Sequence, residues 1–210
     1  MFFWLIKGIS TPLGRILYRT KVIGAENIPR TGPVMLVGNH QSNLDPVFLA
    51  TGNPRRLYAM GKAELFENPL SRWFYLHLGA FPIHRGKPDR AGLKKIIDLF
   101  NRGNMVLVFP EGGRNREPGL GPMEPGIVFL ADMAGVPILP AGITGSGKIS
   151  PKGAKTPRFP KVSVRFGQLF WLDDIAPKKP NMSAIDKKER QELLLKAVSG
   201  RIKQLSDDAF

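Results

Sequence analysis

The stretch Val34-Met-Leu-Val-Gly-Asn-His-Gln-Ser-Asn-Leu-Asp-Pro46 is central to the predicted fold, because an apolar run ends there in polar residues that carry a titratable pair. Its first four residues predict a buried strand. The Gly-Asn pair that follows allows a sharp exit from that strand, and Pro46 is typical of the first turn of a helix. Asp45 precedes a proline and is therefore biased away from helical dihedral angles. The stretch predicts a strand, a loop that begins with His40, and a helix.

The titratable pair is His40 and Asp45, whose side chains would not face each other on a continuous helix. They meet only if the loop folds between them. Asp45 would then accept a hydrogen bond from one imidazole nitrogen, fix the tautomer and leave the other nitrogen free as a base. No nucleophilic Ser or Cys is needed if a substrate hydroxyl attacks an activated carbonyl such as a thioester. The alternative is that Asp45 caps the helix and His40 is an ordinary loop residue, and this stretch alone leaves both open.

Composition limits the classes of partner and of chemistry. The 210 residues are enough for one well-cored domain. Lys plus Arg number 31 against 17 for Asp plus Glu, a formal charge of +14. Anionic partners are therefore expected: a phospholipid surface, a phosphorylated substrate, an acidic carrier protein or nucleic acid. The absence of Cys excludes disulfides, thiolate metal sites and cysteine nucleophiles, and the presence of only three His argues against a His-rich metal site.

The first 20 residues combine aromatic and aliphatic residues with interspersed Lys and Arg. Lys7 interrupts the apolar run too early for a membrane span, and the order of charge and apolar run does not fit a secretory signal. The pattern predicts a helix with an apolar and a basic side, suited to the interface of an anionic membrane. Packing of this helix on its own domain is the equal alternative. Pro12 is expected to break the helix.

Polar residues follow three further predicted strands. The strands end at Lys62, at Arg85 and before the segment Glu111-Gly-Gly-Arg114. Ligands of open α/β sheets collect beyond the carboxyl ends of the strands. Arg85 is therefore placed as a phosphate clamp, with a solvated surface arginine as the alternative. His84 is expected to have no carboxylate at an informative spacing, so no role is assigned to it.

Glycines next to charged residues suggest a second anion contact in the segment 111–114. The adjacent glycines allow backbone amides to approach an anion, and Arg114 adds a positive charge. An ordinary glycine turn with surface charges is the alternative. The recurrence of polar residues at strand ends favours the binding site.

The remaining pattern completes an α/β fold with a mostly parallel sheet and helices on both faces. Residues 162–169 alternate in polarity and predict an edge strand. A helix is expected from about residue 183 to 205, and His77 is interpreted as a packing residue. We expect a membrane-apposed helical segment over residues 1–20 and an α/β domain over residues 21–210.

Four segments in order then reveal a resemblance. They are Asn39-His-Gln-Ser-Asn-Leu-Asp-Pro46, Ala80-Phe-Pro-Ile-His-Arg85, Phe109-Pro-Glu-Gly-Gly-Arg114 and Val136-Pro-Ile-Leu-Pro-Ala-Gly142. Together they resemble the four sequence blocks of the glycerolipid acyltransferases, in particular the bacterial 1-acylglycerol-3-phosphate acyltransferases, over residues 20 to 170. The resemblance implies a glycerol-3-phosphate acyltransferase-like fold.

The resemblance also implies roles for individual residues. His40 would be the general base, Asp45 its orienting partner and Arg85 a ligand of the acceptor phosphate. The residues that would help to bind the acceptor are Glu111, Gly112 and Arg114. The block around Pro140 would shape the donor or acceptor side of the site, and Lys62 matches another recurrent family position, with a structural ion pair as the equal alternative.

Two positions depart from the family pattern, and both concern the acceptor. Gly113 stands where the family usually has Thr or Ser, and Pro122-Met-Glu-Pro-Gly126 lacks the Lys usually found before the corresponding Gly.

The reaction implied is acyl transfer from acyl-CoA or acyl carrier protein to lysophosphatidic acid, which gives phosphatidic acid in phospholipid biosynthesis. No cofactor, metal or nucleic acid is expected. The enzyme would be peripheral or monotopic on the cytoplasmic face of the cell membrane. Two alternatives remain: an acyltransferase with another lysophospholipid or glycolipid acceptor, and a non-catalytic basic module that binds membrane or nucleic acid.

Overall fold

The computed structural model describes residues 1–84, 89–115, 120–151, 153 and 156–207. The helices are α1 (Phe2–Leu17), α2 (Asp45–Gly52), α3 (Pro69–His77), α4 (Arg90–Asn101), α5 (Gly126–Ala134), α6 (Leu172–Ile175) and α7 (Ala184–Asp207). The strands are β1 (Lys21–Ile23), β2 (Val34–Gly38), β3 (Leu57–Lys62), β4 (Ala80–Ile83), β5 (Met105–Val108), β6 (Ile138–Thr144) and β7 (Ser163–Phe166).

The strands form one sheet in the order β1-β7-β6-β2-β5-β3-β4. The five strands from β6 to β4 run parallel, whereas β7 is antiparallel to β6 and β1 is parallel to β7. The predicted α/β class with a mostly parallel sheet is confirmed. The prediction that residues 162–169 form an edge strand is wrong, because the short β1 pairs with the outer side of β7.

Two apolar layers cover the two faces of the sheet. Along β2, Val34 and Leu36 pack on the side of α1 and α2, while Met35 and Val37 pack on the side of α4, α5 and α7. All four side chains are essentially inaccessible to water. A strand that is apolar at every position is what burial on both faces requires.

Helix α1 runs without a break through Pro12, so the predicted interruption is wrong. A proline inside a helix removes one backbone hydrogen bond and costs about 3 kcal/mol. Packing on both sides of the proline offsets this cost: Phe3 and Gly14 are buried, and the helix lies against α2. The opposite side of α1 stays exposed.

The carboxyl ends of the five parallel strands lie at one edge of the sheet, here called the active edge. The residues that end or follow these strands are His40, Lys62, His84, Glu111 and Ser146. Strand direction therefore gathers residues that are more than 100 positions apart in the sequence.

Candidate active site

The loop after β2 folds around the carboxylate of Asp45. Its Oδ2 accepts hydrogen bonds from His40 Nδ1 at 2.9 Å and from the backbone N–H groups of Gln41 and Ser42 at 2.7 Å each. Helix α2 begins at Asp45, and among the described residues no side chain caps that helix. The alternative in which Asp45 is a helix cap is therefore wrong, and the predicted His–Asp pair is present.

The imidazole of His40 is held from its face as well as from its edge. Its ring stacks on Phe109 with the centroids 3.9 Å apart and the planes inclined by 10°. The side chain of His40 is 13% exposed, whereas that of Asp45 is fully buried. With Nδ1 bonded to the carboxylate, Nε2 is the nitrogen left to take a proton. The sequence does not predict the role of Phe109, because an aromatic residue at the end of a strand does not indicate which ring it stacks on.

Glu111 connects the loops that follow β2 and β5. Its Oε1 accepts the backbone N–H of His40 at 2.8 Å, and its Oε2 accepts that of Gly121 at 2.9 Å. Burial raises the pKa of this carboxyl, while the hydrogen bonds from His40 and Gly121 act in the opposite direction. The geometry makes Glu111 a positioning residue for His40, and its contact with the acceptor stays a prediction.

The turn after Glu111 depends on Gly112, which has a left-handed φ of 63° and donates its N–H to the Phe109 carbonyl at 3.2 Å. A side chain would strain this backbone conformation. Gly112 thus shapes the turn, and its contact with the acceptor stays a prediction. The backbone N–H of Asn115 donates to the carbonyl of His40 at 2.7 Å and so closes the turn against the loop between β2 and α2, here called the catalytic loop.

Two of the predicted cations lie exposed at the active edge. Lys62 ends β3, Arg114 follows the turn after β5, and neither forms an ion pair with any described residue. The alternative of a structural ion pair for Lys62 thus finds no partner in the described chain. Arg85 lies outside the described residues.

Asn39 was predicted only to allow the exit from β2, but it also joins two strands. Its Nδ2 donates to the carbonyl of Ile143 at 2.8 Å, and its Oδ1 accepts the N–H of Ile143 at 2.7 Å. Asn39 is 1% exposed and directly follows Gly38, the last residue of β2 that pairs with β6. Its side-chain amide makes the two hydrogen bonds that the backbone of a neighbouring strand would otherwise make. This bridge fixes the backbone immediately before His40.

Pro140 does not lie at the active edge. It is buried inside β6 opposite Val37, and its carbonyl accepts the N–H of Gly167 at 2.8 Å. The pairing of β6 with the segment that contains β7 is interrupted between the Ala141–Phe166 and Ile138–Phe170 pairs. A proline, which has no backbone N–H, is therefore tolerated at position 140. Pro140 is thus part of the sheet, and the expected role of its block in shaping the donor or acceptor side of the site stays a prediction.

The expectation that His84 has no carboxylate at an informative spacing is wrong, because His84 forms a second His–Asp pair. His84 and Asp89 have the same five-residue spacing as the catalytic pair, and His84 Nδ1 lies 3.3 Å from Asp89 Oδ2. The same carboxylate accepts the N–H of His84 and, as the cap of α4, that of Gly92. The imidazole of His84 is 69% exposed. Spacing alone therefore does not distinguish the two pairs, whereas burial does.

Comparison with known proteins places these features in one family. The family model described as Acyltransferase matches residues 19–144. The chain is 34% identical over 142 residues to the 1-acyl-sn-glycerol-3-phosphate acyltransferase BAT2, chloroplastic, of Brassica napus, in a match that covers 66% of this chain but 41% of that protein. The chain thus spans less than half the length of this plant relative.

A bacterial relative matches along most of its length. It is the 1-acyl-sn-glycerol-3-phosphate acyltransferase of Bacillus subtilis, 30% identical over 191 residues, with 89% of this chain and 88% of the relative covered. The crystal structure of the 1-acyl-sn-glycerophosphate acyltransferase PlsC from Thermotoga maritima superposes with a TM-score of 0.74 at 23% identity, covering 99% of this chain and 82% of that one. The superposition supports the fold.

Proposed function

Because this chain belongs to the acyltransferase family, we propose that it transfers an acyl group from acyl-CoA or acyl carrier protein to the free hydroxyl of 1-acylglycerol 3-phosphate. The product is phosphatidic acid. The observation that carries this proposal is the His40 Nδ1–Asp45 Oδ2 hydrogen bond of 2.9 Å, which leaves Nε2 as the base at an edge lined with exposed cations. The names of the plant and Bacillus relatives, both 1-acyl-sn-glycerol-3-phosphate acyltransferases, support the choice of acceptor.

In the proposed reaction, His40 Nε2 removes the proton of the acceptor hydroxyl as its oxygen attacks the thioester carbonyl. The tetrahedral intermediate collapses, the carbon–sulfur bond breaks, and the imidazolium returns the proton to the departing thiolate. Asp45 stabilises the imidazolium between these steps. General-base catalysis of this kind contributes about two to four orders of magnitude. The proton thus moves from the acceptor hydroxyl to His40 and from His40 to the thiol that leaves.

The acceptor phosphate is proposed to bind on the β5–β3 side of His40. Arg114 and Lys62 are exposed there, and Arg85 is predicted to join them. Positive side chains near an anionic headgroup hold the hydroxyl close to the base and so reduce the entropy lost in reaching the transition state.

Association with an anionic membrane surface is proposed for the helices on one face of the sheet. The exposed apolar residues of this surface are Trp4, Leu5, Ile9, Leu13 and Ile16 of α1 and Leu70, Trp73, Phe74 and Leu76 of α3. Phe2 joins the two helices, because its ring lies 5.0 Å from that of Trp73. This patch, here called the helical patch, is of the kind that enters a lipid interface.

Within the described part of the chain, no helix is long and apolar enough to cross a membrane. The exposed helical patch and the positive charge support a proposed peripheral or monotopic location on the cytoplasmic face of the cell membrane. The boundary between a membrane-apposed segment of residues 1–20 and the α/β domain stays a prediction. One side of α1 packs on α2, as the alternative of packing on its own domain predicts. The other side is exposed and is the one proposed to contact the membrane.

The function is tested by comparing acceptors that differ in the phosphate. The purified protein is assayed with hexadecanoyl-CoA and hexadecanoyl-carrier protein, using 1-acylglycerol 3-phosphate, 1-acylglycerol or a lysophospholipid with a larger headgroup. We expect kcat/KM to be at least about 100-fold higher for 1-acylglycerol 3-phosphate than for 1-acylglycerol, because a lost charge-assisted contact is worth several kcal/mol. Equal rates on both acceptors would reject the proposed acceptor.

A further inference from the structure

We propose that five exposed cations on the β6–β7–β1 side of His40 dock an acidic acyl carrier protein that delivers the thioester. They are Arg19, Lys21, Lys148, Arg158 and Lys161, here called the basic flank. The inference rests on the proposed acyl transfer and adds to it the identity of the donor and the surface that receives it.

Strand direction places the basic flank at the active edge. Because β7 runs antiparallel to β6, its amino end pairs with the carboxyl end of β6, as the Thr144–Ser163 pair shows. Lys161 precedes β7, and Lys21 begins β1 opposite Ser163. With neighbouring strands about 4.8 Å apart, the three steps from β2 to β1 span about 14 Å. The flank therefore begins beside the catalytic loop and extends away from it.

The turn that carries Lys148 packs directly on the catalytic loop. A Cβ atom added at Gly147 would lie 3.2 Å from Gln41 Oε1, in the residue that follows His40. The turn itself is closed by a hydrogen bond from the N–H of Lys148 to the carbonyl of Gly145 at 3.1 Å. A partner bound at Lys148 is thus next to the site where the thioester must arrive.

The separate segments of the flank are held together as one surface. The guanidinium of Arg19 donates to the carbonyl of Phe159 at 2.9 Å, and the rings of Tyr18 and Phe159 lie 5.5 Å apart. The N–H of Arg158 bonds to the carbonyl of Ile149 at 2.8 Å. Phe159 is 48% exposed among these cations and offers an apolar contact inside a positive surface.

The cations of the flank lack acidic partners in the part of the chain that the structure describes. The ion pairs formed there involve other side chains. Cations that are exposed and unneutralised raise the local potential and steer anionic partners to the surface. The cations proposed for the acceptor phosphate, Lys62 and Arg114, lie on the opposite side of His40. The flank is therefore free to serve the donor.

The arrangement favours a protein over the other anionic occupants. The five cations are distributed over three segments and are all exposed, whereas a compact phosphate group contacts two or three neighbouring donors. The helical patch that faces lipid in the proposed function covers one face of the sheet, while the flank lies at the edge. A broad acidic surface, as on a carrier protein, engages all of these cations together.

The test compares two donors with the same acyl chain. The double variant Lys148→Glu/Lys161→Glu is assayed with hexadecanoyl-carrier protein and hexadecanoyl-CoA, using short-chain 1-acylglycerol 3-phosphate in detergent without vesicles. We expect KM for the carrier donor to rise at least about tenfold, with kcat and KM for the CoA donor changed less than about twofold, because like-charge contacts at an interface weaken association. The double variant Lys187→Glu/Lys196→Glu on α7 carries the same change of charge and should behave as wild type.

Each other result overturns the proposal. An unchanged KM for the carrier donor removes the docking surface, and an equal rise for both donors assigns the flank to a group that the donors share. A defect that appears only when vesicles supply the acceptor assigns it to lipid headgroups. A wild-type protein that uses the CoA donor but not the carrier donor rejects this inference and leaves the proposed function intact, whereas inactivity with both donors rejects the proposed function as well.

Discussion

A single carboxylate oxygen organises the catalytic loop at the scale of residues. Asp45 Oδ2 receives one imidazole and two backbone donors, whereas Oδ1 is buried without a hydrogen-bond partner in the described part of the chain. Concentrating three donors on one oxygen fixes both the path of the loop and the tautomer of His40. In the proposed reaction, this carboxylate stabilises the imidazolium that forms on His40.

Glu111 gives a prediction about pH. Burial raises its pKa above the ordinary 4.5. Below pH 4.5 the carboxyl is protonated in both the folded and the unfolded chain; as the pH rises, the unfolded chain loses the proton first, so ionisation progressively lowers the free energy of unfolding. Relative to Glu111→Gln, the wild type should lose thermal stability as the pH rises through the raised pKa. The thermal unfolding midpoints of the wild type and of Glu111→Gln, measured from pH 4 to pH 8, test this. If the midpoint of the wild type stays constant relative to that of the variant, or rises relative to it as the pH increases, the prediction is wrong.

The sequence predicts the catalytic pair but not its supports. His40 and Asp45 are close in the chain, so a strand, a loop and a helix start are enough to bring them together. Phe109 and Glu111 approach His40 only because β5 pairs with β2. That contact depends on the order of strands in the sheet, which no local pattern specifies.

At the scale of elements, the side chain of Asn39 lengthens the β2–β6 pairing. Asn39→Ala would leave the buried N–H and carbonyl of Ile143 without partners and should lower the free energy of unfolding by about 2 kcal/mol. It should also lower kcat, because the backbone of His40 follows directly. Denaturant unfolding and steady-state kinetics measure both effects.

The exposed Asn101 of α4 provides the matched control for Asn39. Asn101→Ala should change the free energy of unfolding by less than about 0.5 kcal/mol. If Asn39→Ala is as stable and as active as this control, the side chain of Asn39 does not serve as a strand partner.

Element types were predictable from local pattern, whereas element neighbours were not. Apolar runs marked β2 and β5, and glycine or proline marked where they stop. The prediction of β7 as an edge strand is wrong because β1 has only three residues, and so short a segment does not indicate which strand it pairs with. Likewise, Pro12 predicted a break in α1 that contacts on both sides of it prevent.

At the scale of the whole molecule, the excess of positive charge outside the basic flank and the helical patch are proposed to bind the same partner, an anionic membrane. Binding to vesicles with anionic lipid should weaken as salt rises from 0.05 to about 0.5 M, because ions screen the attraction, while the apolar contribution remains. Ile9→Glu on α1 should reduce binding at least about tenfold, since it places a carboxylate in the lipid interface. Vesicle sedimentation measures both effects.

Leu193 on α7 is the control for Ile9, since the two side chains are 51% and 56% exposed. Leu193→Glu lies on the other face of the sheet and should leave vesicle binding unchanged. Equal losses in the two variants would show that the helical patch is not the membrane surface.

The α/β architecture follows from the sequence more directly than the contacts of individual residues do. Central strands that are apolar at every position require helices on both faces, and polar residues after several strands indicate one functional edge. The contacts of individual residues along that edge come from strand order, which brings Glu111 to His40 and Ile143 to Asn39.

The proposed role of His40 as the base is tested by the turnover of His40→Ala. The purified variant should lose at least about three orders of magnitude in kcat with 1-acylglycerol 3-phosphate and hexadecanoyl-CoA, while its unfolding transition stays close to that of wild type. His84→Ala removes the exposed imidazole of the other His–Asp pair and should keep most of the activity. Near-normal turnover by folded His40→Ala would show that His40 is not the base.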